Sequence, residues 1–198
     1  MRTDQLTGLA NYRYFCQALE QEMERTQRGG QPTTLIMLDV DYFKKVNDNW
    51  GHEVGNQALI HIAGLMCQTV RRLDIPCRYG GEEFAVILPN TELAASIPVA
   101  ERLRKAIEET PLPVAEQQLS LTASLGISSY LLGEDVSLEE LVQRADHYLY
   151  QAKQEGRNRV RHASLPKVEL VSRDEKDALF DLFGGAGNNS SEAGDRDD

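Results

Sequence analysis

The chain has 198 residues, 41% hydrophobic and 26% charged, enough for one domain with a full core. No apolar run nears the roughly 20 residues that span a bilayer, no secretion signal opens the chain, and a net charge of −10 argues against a polymeric nucleic-acid partner. Cys16, Cys67 and Cys77 are scattered and odd in number, which fits a reducing cytoplasm and argues against a disulfide framework or a zinc cluster.

In chain order, "YRYFCQALEQEMERTQR" has helical spacing and stops at Gly29-Gly30. "TTLIMLDV" is a short continuous apolar run, the pattern of a buried strand. "EVGNQALIHIAGLMCQTVRR" returns to a helical period. "CRYGGEEFAVIL" reads as strand, glycine turn, strand. "LAASIPVAERLRKAIEE" predicts a helix with Pro98 near its first turns or at a kink. "QLSLTASLGISSY" alternates as one strand. "SLEELVQRADHYLYQAKQEG" is helical, with Ser137 and Glu140 at capping-box spacing. "NRVRHA" predicts a last edge strand. Alternating strands and helices with one tight hairpin predict an α/β (α+β) domain, a mixed sheet with helices packed on it.

Residues 164–198 have a different character. From Pro166 onward nine acidic and four basic side chains carry about half of the net charge. A short helix is expected over 173–183, folding onto its own domain or binding a partner, before a Gly/Ser/Asn/Asp end expected to be disordered.

Four groups of residues could carry chemistry. In "LIMLDVDYFKKVND" a buried strand stops at Asp39, and Asp41, Lys44 and Lys45 follow in what reads as one short loop. An unpaired buried carboxylate is costly, so Asp39 is expected to be exposed, paired or bound to a metal. In "GGEEF", Glu82 and Glu83 join Asp39 in one acidic cluster if the turn lies beside the end of that strand; otherwise they are a solvated hairpin tip. Magnesium takes oxygen ligands of this kind, and Gly80 and Gly81 would let phosphate approach the backbone. Lys153 and Arg157 share one helical face, as dipole-complementing cations or as a phosphate clamp. Arg71 and Asp74 form an R-x-x-D, by itself usually a local ion pair.

Taken together, "DQLTGLANYRYF", "DVDYFKKVNDNWGHEVGNQAL", "RYGGEEFAVILP", "TASLGIS" and "RADHYLYQAKQEGRNRV" resemble the GGDEF family, the bacterial diguanylate cyclases, over about Asp4 to Arg161. The resemblance implies a catalytic domain over 1–163 with a palm-like nucleotidyl cyclase fold: a central mixed five-stranded sheet surrounded by helices, plus a small hairpin. It implies a nucleotidyltransferase that condenses two GTP into cyclic di-GMP and releases two pyrophosphates. Each subunit of a homodimer would hold one nucleotide. It also implies Mg²⁺, with Mn²⁺ as a substitute, held by Asp39, the Val40 carbonyl, Glu82 and Glu83. Glu83, Glu82 and Asp39 would be catalytic, with Glu83 deprotonating the 3′-hydroxyl or supporting the metal. Phe43, Lys44, Lys153 and Arg157 would cradle the phosphates beside Gly80 and Gly81, and Asn47, His52 and Asn56 would belong to the substrate site. Asp41 also matches the family pattern, but its expected role is loop hydrogen bonding. Arg71 and Asp74, assisted by Arg78, match the inhibitory site for the product.

Three departures stand out. The family usually has Asp where this chain has Asn56, which alters the pairing with guanine. Tyr12 replaces a frequent Arg and Tyr148 a frequent Ala, where only packing is expected to change. Two rival functions therefore stand beside the active cyclase: an inactive domain that binds cyclic di-GMP or a partner protein, and a cyclase of altered purine selectivity. Because Met1 lies almost on the first motif, control is expected from a regulatory protein or the acidic tail, unless an upstream sensor domain is missing from an excised fragment.

Overall fold

The computed structural model describes residues 2–165; the helix expected over 173–183 and the acidic end lie outside the described residues. The elements run α1 (Tyr12–Gly29), β1 (Thr33–Val40), α2 (Phe43–Thr69), β2 (Ile75–Gly80), β3 (Glu83–Leu88), α3 (Leu93–Glu109), β4 (Leu112–Val114), β5 (Gln117–Leu119), β6 (Ala123–Tyr130), α4 (Leu138–Gln154) and β7 (Val160–Arg161). Five strands form one sheet in the order β2-β3-β1-β6-β7, and β4 and β5 form a separate hairpin. β1 is antiparallel to both neighbours, whereas β7 joins β6 in parallel, so the sheet is mixed as expected.

Why β1 reads as a continuous apolar run is clear from its place. It is the central strand and every residue in it is buried. Successive side chains leave a strand on opposite faces, so β1 feeds two cores. Ile36, Leu38 and Val40 pack with α2, α3 and the alternate positions Phe84, Val86 and Leu88 of β3. Leu35 and Met37 pack with Phe15 and Leu19 of α1, Leu141 and Leu149 of α4, and Ala85 and Ile87 of β3. Asp39 continues the second series, and so does Glu83. Both carboxylates therefore share the sheet face that carries α1 and α4.

The helix ends follow local chemistry. Asn11 accepts from the Tyr14 N–H at the start of α1, and Gly30 closes it in the left-handed region with its N–H on the Thr26 carbonyl. The Ser137–Glu140 capping box forms in both directions at the start of α4.

Three expectations about extent are corrected. The stretch Gln118–Tyr130 is not one strand, because β5 pairs back on β4 and the chain re-enters the main sheet at Ala123. Lys44 and Lys45 are not in a loop but in the first turn of α2, which starts ten residues before the clear apolar period. That early segment is set off by a kink at Gly51 (φ 84°, ψ 162°), a backbone conformation suited to glycine. Finally β2 begins at Ile75, with Pro76 on the edge strand, where a missing N–H is tolerated.

Gly126 of β6 sets how closely α4 can lie on the sheet. A β-carbon there would stand 2.1 Å from the Ala145 carbonyl oxygen and 2.3 Å from the Leu149 nitrogen, both backbone atoms of α4. Gly126→Ala is expected to destabilise the domain by about 3 kcal/mol, because the helix must lift from the sheet. Urea denaturation measures this. A loss under about 1 kcal/mol would mean that α4 yields without penalty.

Candidate active site

At the end of the sheet, Asp39 of β1 stands directly opposite Glu83 of β3 in the antiparallel register. The turn is bound to β1 one residue further, where the Val40 N–H donates to the Glu82 carbonyl at 3.3 Å. The GGEEF turn therefore lies beside Asp39, and the convergence expected from the sequence is present in the backbone. Gly81 has φ 47°, and the β2–β3 register shifts between Arg78 and Gly80, an irregularity that re-aims the chain at a site. A β-carbon built at Gly80 or Gly81 meets no atom within 4 Å, so the turn's backbone is open to approach.

Burial holds both carboxylic acids above the ordinary range. For Glu83 the next causes are repulsion from Asp39 and from Asp146, with Lys153 acting the other way. For Asp39 burial is again first, opposed by the hydrogen bond and charge of Lys153. The Lys153 ammonium lies 3.0 Å from the Asp39 carboxylate. Thus α4 brings its C-terminal cation to the carboxylates themselves.

No group of three or more His, Cys, Asp or Glu side chains among the described residues is gathered so as to hold a metal on its own. A preformed three-carboxylate cage is therefore not what the fold builds. The donor set at the sheet end, hard oxygens from opposed carboxylates that repel one another, nevertheless fits Mg²⁺. That ion typically takes one or two carboxylates and completes its shell with water and substrate phosphate.

The other expected site residues surround this point. Tyr42, ahead of α2, provides no side-chain cap, leaving first-turn amides such as those of Phe43 and Lys44 available to an anion. Asn47 and Gly55 meet across the Gly51 kink: a β-carbon at Gly55 would lie 1.9 Å from the Asn47 Oδ1. Asn56 is therefore next to Asn47's contact, and both Asn56 and His52 are exposed. Lys153 and Arg157 do not share one helical face as expected: α4 ends at Gln154, and Arg157 (φ 64°) and Asn158 (φ 44°) are two consecutive left-handed residues just beyond it.

Asp41 does what the sequence suggested, but on a larger scale. It is buried, its Oδ1 accepts from the Ser124 hydroxyl at 2.7 Å, and its Oδ2 accepts from the Thr122 hydroxyl at 2.8 Å and the Asn158 N–H at 3.0 Å. It ties β1, β6 and the segment after α4 together. Asn158 is further held by Arg104 and Glu108 of α3. Sequence reasoning missed Asp146, a half-buried acid raised by burial whose charge bears on Glu83. Its spacing of seven from Lys153, two turns along one face, was the available signal.

Arg71 and Asp74 are brought together. Asp74 is buried and accepts from the Arg71 N–H at 2.8 Å, with the guanidinium 3.6 Å away. Arg78 is occupied elsewhere, donating to the Gly81 carbonyl at 2.9 Å and pairing with Asp4 at 3.2 Å. It braces the glycine turn against the "DQLTGL" segment.

Residues 1–159 match the family model described as diguanylate cyclase, GGDEF domain. The chain belongs to the GGDEF family. This GGDEF domain is 45% identical over 160 residues to response regulator PleD of Caulobacter vibrioides, covering 80% of this chain and 35% of PleD. It is 43% identical over 158 residues to diguanylate cyclase DgcP of Pseudomonas aeruginosa, covering 80% of this chain and 23% of DgcP. The chain thus spans about a third or less of these curated relatives. Among solved structures, diguanylate cyclase SiaD of Pseudomonas aeruginosa, in complex with its activator SiaC, superposes with a TM-score of 0.78 at 43% identity, covering 81% of this chain and 61% of that one. The GGDEF domain of DgcB from Caulobacter crescentus, in complex with c-di-GMP, gives 0.78 at 34% identity, covering 83% and 94%. No helix among the described residues of this GGDEF domain is long and apolar enough to cross a membrane.

Proposed function

We propose that this GGDEF domain is an active diguanylate cyclase, with residues 1–163 as its catalytic unit. The observation that carries the reading is the opposition of Asp39 and Glu83 at the sheet end, with a glycine turn on one side and Lys153 on the other. Degenerate domains lose such groups, whereas Asp39, Gly80, Gly81, Glu82 and Glu83 are all present here.

Asp39, Glu82, Glu83 and the Val40 carbonyl would hold Mg²⁺, which when bound neutralises the triphosphate and the developing charge of phosphoryl transfer. The chain's own residues do the rest. The amides of Phe43 and Lys44, with the side chains of Lys44, Lys153 and Arg157, bind the β- and γ-phosphates. Lys153 is released from Asp39 to do so. Asn47 reads the guanine edge. Glu83, whose carboxyl is held above the usual range by burial and by Asp39, takes the proton of the 3′-hydroxyl. That oxygen bonds to the α-phosphorus of the partner subunit's GTP, and the bond from this phosphorus to the β-phosphate oxygen breaks, releasing pyrophosphate. Two such events close the ring, so a homodimer is required. The substrate and soluble product place the reaction in the cytoplasm. Arg71 and Asp74, with Arg78 near the turn, would bind product and slow the enzyme, and a regulatory protein partner is in keeping with the SiaD–SiaC complex.

The test is incubation of the chain with Mg²⁺ and GTP across protein concentration, followed by chromatography. Cyclic di-GMP formed with more than first-order dependence on protein is expected. No cyclic dinucleotide at any concentration would sink the reading.

A second reading, altered purine selectivity, is favoured by Asn56, exposed beside Asn47's contact at Gly55. Asn has one accepting oxygen where Asp has two. Asn56→Asp is expected to raise the preference for GTP over ATP by about tenfold, within the 1–3 kcal/mol of one hydrogen bond in a closed site. Competition assays with both nucleotides check this; unchanged selectivity would remove Asn56 from the base site.

A further inference from the structure

Tyr42 is a large aromatic residue in an unusual setting. It has φ 55° and ψ 29°, left-handed values that a bulky side chain rarely adopts. Its ring is half exposed, so burial of the side chain does not account for the conformation. What the conformation achieves is a meeting of cations. The Lys45 ammonium lies 4.6 Å from the ring centroid and the Arg157 guanidinium carbon 4.5 Å. Both distances are within the range of a cation–π attraction. Arg157 also points Nη1 at the Tyr42 hydroxyl at a long 3.5 Å.

The backbone supports the same geometry. Asp41 holds the N–H of Asn158, and Tyr42 holds the side chain of Arg157. Two adjacent residues before α2 thus grip two adjacent residues after α4, across more than a hundred positions of sequence. All three of Tyr42, Arg157 and Asn158 are left-handed. Like charges converge on one ring beside uncapped helix amides, an arrangement suited to an incoming polyanion.

We infer that Tyr42 is a positioning residue for the nucleotide's phosphates: its ring holds Arg157 and Lys45 in place before the triphosphate arrives. This rests on the reading of the site as a triphosphate site. The ring touches no reacting atom; it acts through the cations. An immobilised guanidinium loses less freedom on binding than a free one, so the ring raises affinity rather than the chemical rate.

The test compares the whole chain with its Tyr42→Phe, Tyr42→Ala, Arg157→Ala and doubly substituted Tyr42→Ala/Arg157→Ala forms. Equilibrium binding of Mg–GTP is read by calorimetry, and KM and kcat by product formation. Tyr42→Ala is expected to weaken Mg–GTP binding about tenfold, in keeping with a partly desolvated cation–π pair, and to raise KM alike with little change in kcat. Tyr42→Phe keeps the ring and restores most of the affinity. The double variant binds little worse than Arg157→Ala alone, because the ring works mainly through that side chain. Additive losses, a Phe variant as weak as the Ala variant, or a lowered melting temperature with unchanged affinity would each overturn the inference. If the Ala variant does not fold, Tyr42→Leu takes its place. A wild-type chain that binds Mg–GTP without making product removes the cyclase reading and leaves this inference to the binding data. One that does not bind Mg–GTP removes both.

Discussion

Glu83→Gln is expected to lower cyclic dinucleotide formation by about 10²–10⁴-fold, the range for losing a positioned proton acceptor, while making the metal-free domain more stable. Both effects come from the same placement. Glu83 lies half-buried opposite Asp39, and burial, Asp39 and Asp146 raise its pKa above the ordinary 4.5. In the window just above 4.5 the folded protein therefore holds more protons than the unfolded chain. Stability is lost as pH rises through that window, and at neutral pH the ionised Glu83 opposes folding. Glutamine removes the charge and keeps the shape. Thermal melts in chelator should place the variant above the wild type at neutral pH, with the difference vanishing well below pH 4.5, where Glu83 is protonated in both states. Added Mg²⁺ should stabilise the wild type more than the variant. A Glu83→Gln protein with undiminished turnover would end the assignment of this residue. A variant less stable than wild type in chelator would mean that the carboxylate is a structural anchor and not a functional strain.

Asp41→Ala is expected to have the largest effect on stability, a loss of about 3–5 kcal/mol, as when a buried charge-assisted network is broken. The carboxylate is buried and accepts from Thr122, Ser124 and the Asn158 backbone. Ser124 is itself fully buried, so its hydroxyl loses its acceptor in a place water cannot easily reach. Function should suffer beyond stability, because Asn158 adjoins Arg157 and the segment after α4 is released. Urea denaturation gives the first quantity. At a temperature where the variant remains folded, KM for GTP gives the second, and it should rise severalfold. Asp41→Asn, which can still accept through one oxygen, should fall between. A variant that loses under about 1 kcal/mol would show that the three donors find other partners.

The two carboxylates of one short motif thus have opposite natures. Asp41 accepts from three donors of the fold, whereas Asp39 is buried with the Lys153 ammonium in contact and the charge of Arg157 farther off. The sequence offers both as D-x-D and does not separate them by composition. The separation is made not by strand parity, which the two share, but by what each meets. Asp39 shares the face of Met37 and Glu83, and Asp41, past the end of β1, is enclosed by β6.

Sequence alone determined the local elements and the inventory of the site. The apolar run ending at Asp39, the glycine turn at Gly80-Gly81 and the Ser137–Glu140 cap are all short-range patterns, and short-range sterics and hydrogen bonding suffice to produce them. The five ordered motifs pointed to the family for the same reason, since each is contiguous. Only the tertiary structure decided that Asp39 stands opposite Glu83, that Asp41 holds a residue 117 positions away, that Tyr42 gathers Arg157 and Lys45, and that Asp146 bears on Glu83. It also divided β5 from β6 and moved the start of α2 to Phe43. These are choices of register and of which helix face meets which strand end. They are fixed by the joint burial of two cores on one sheet, and no window of neighbouring residues contains that information.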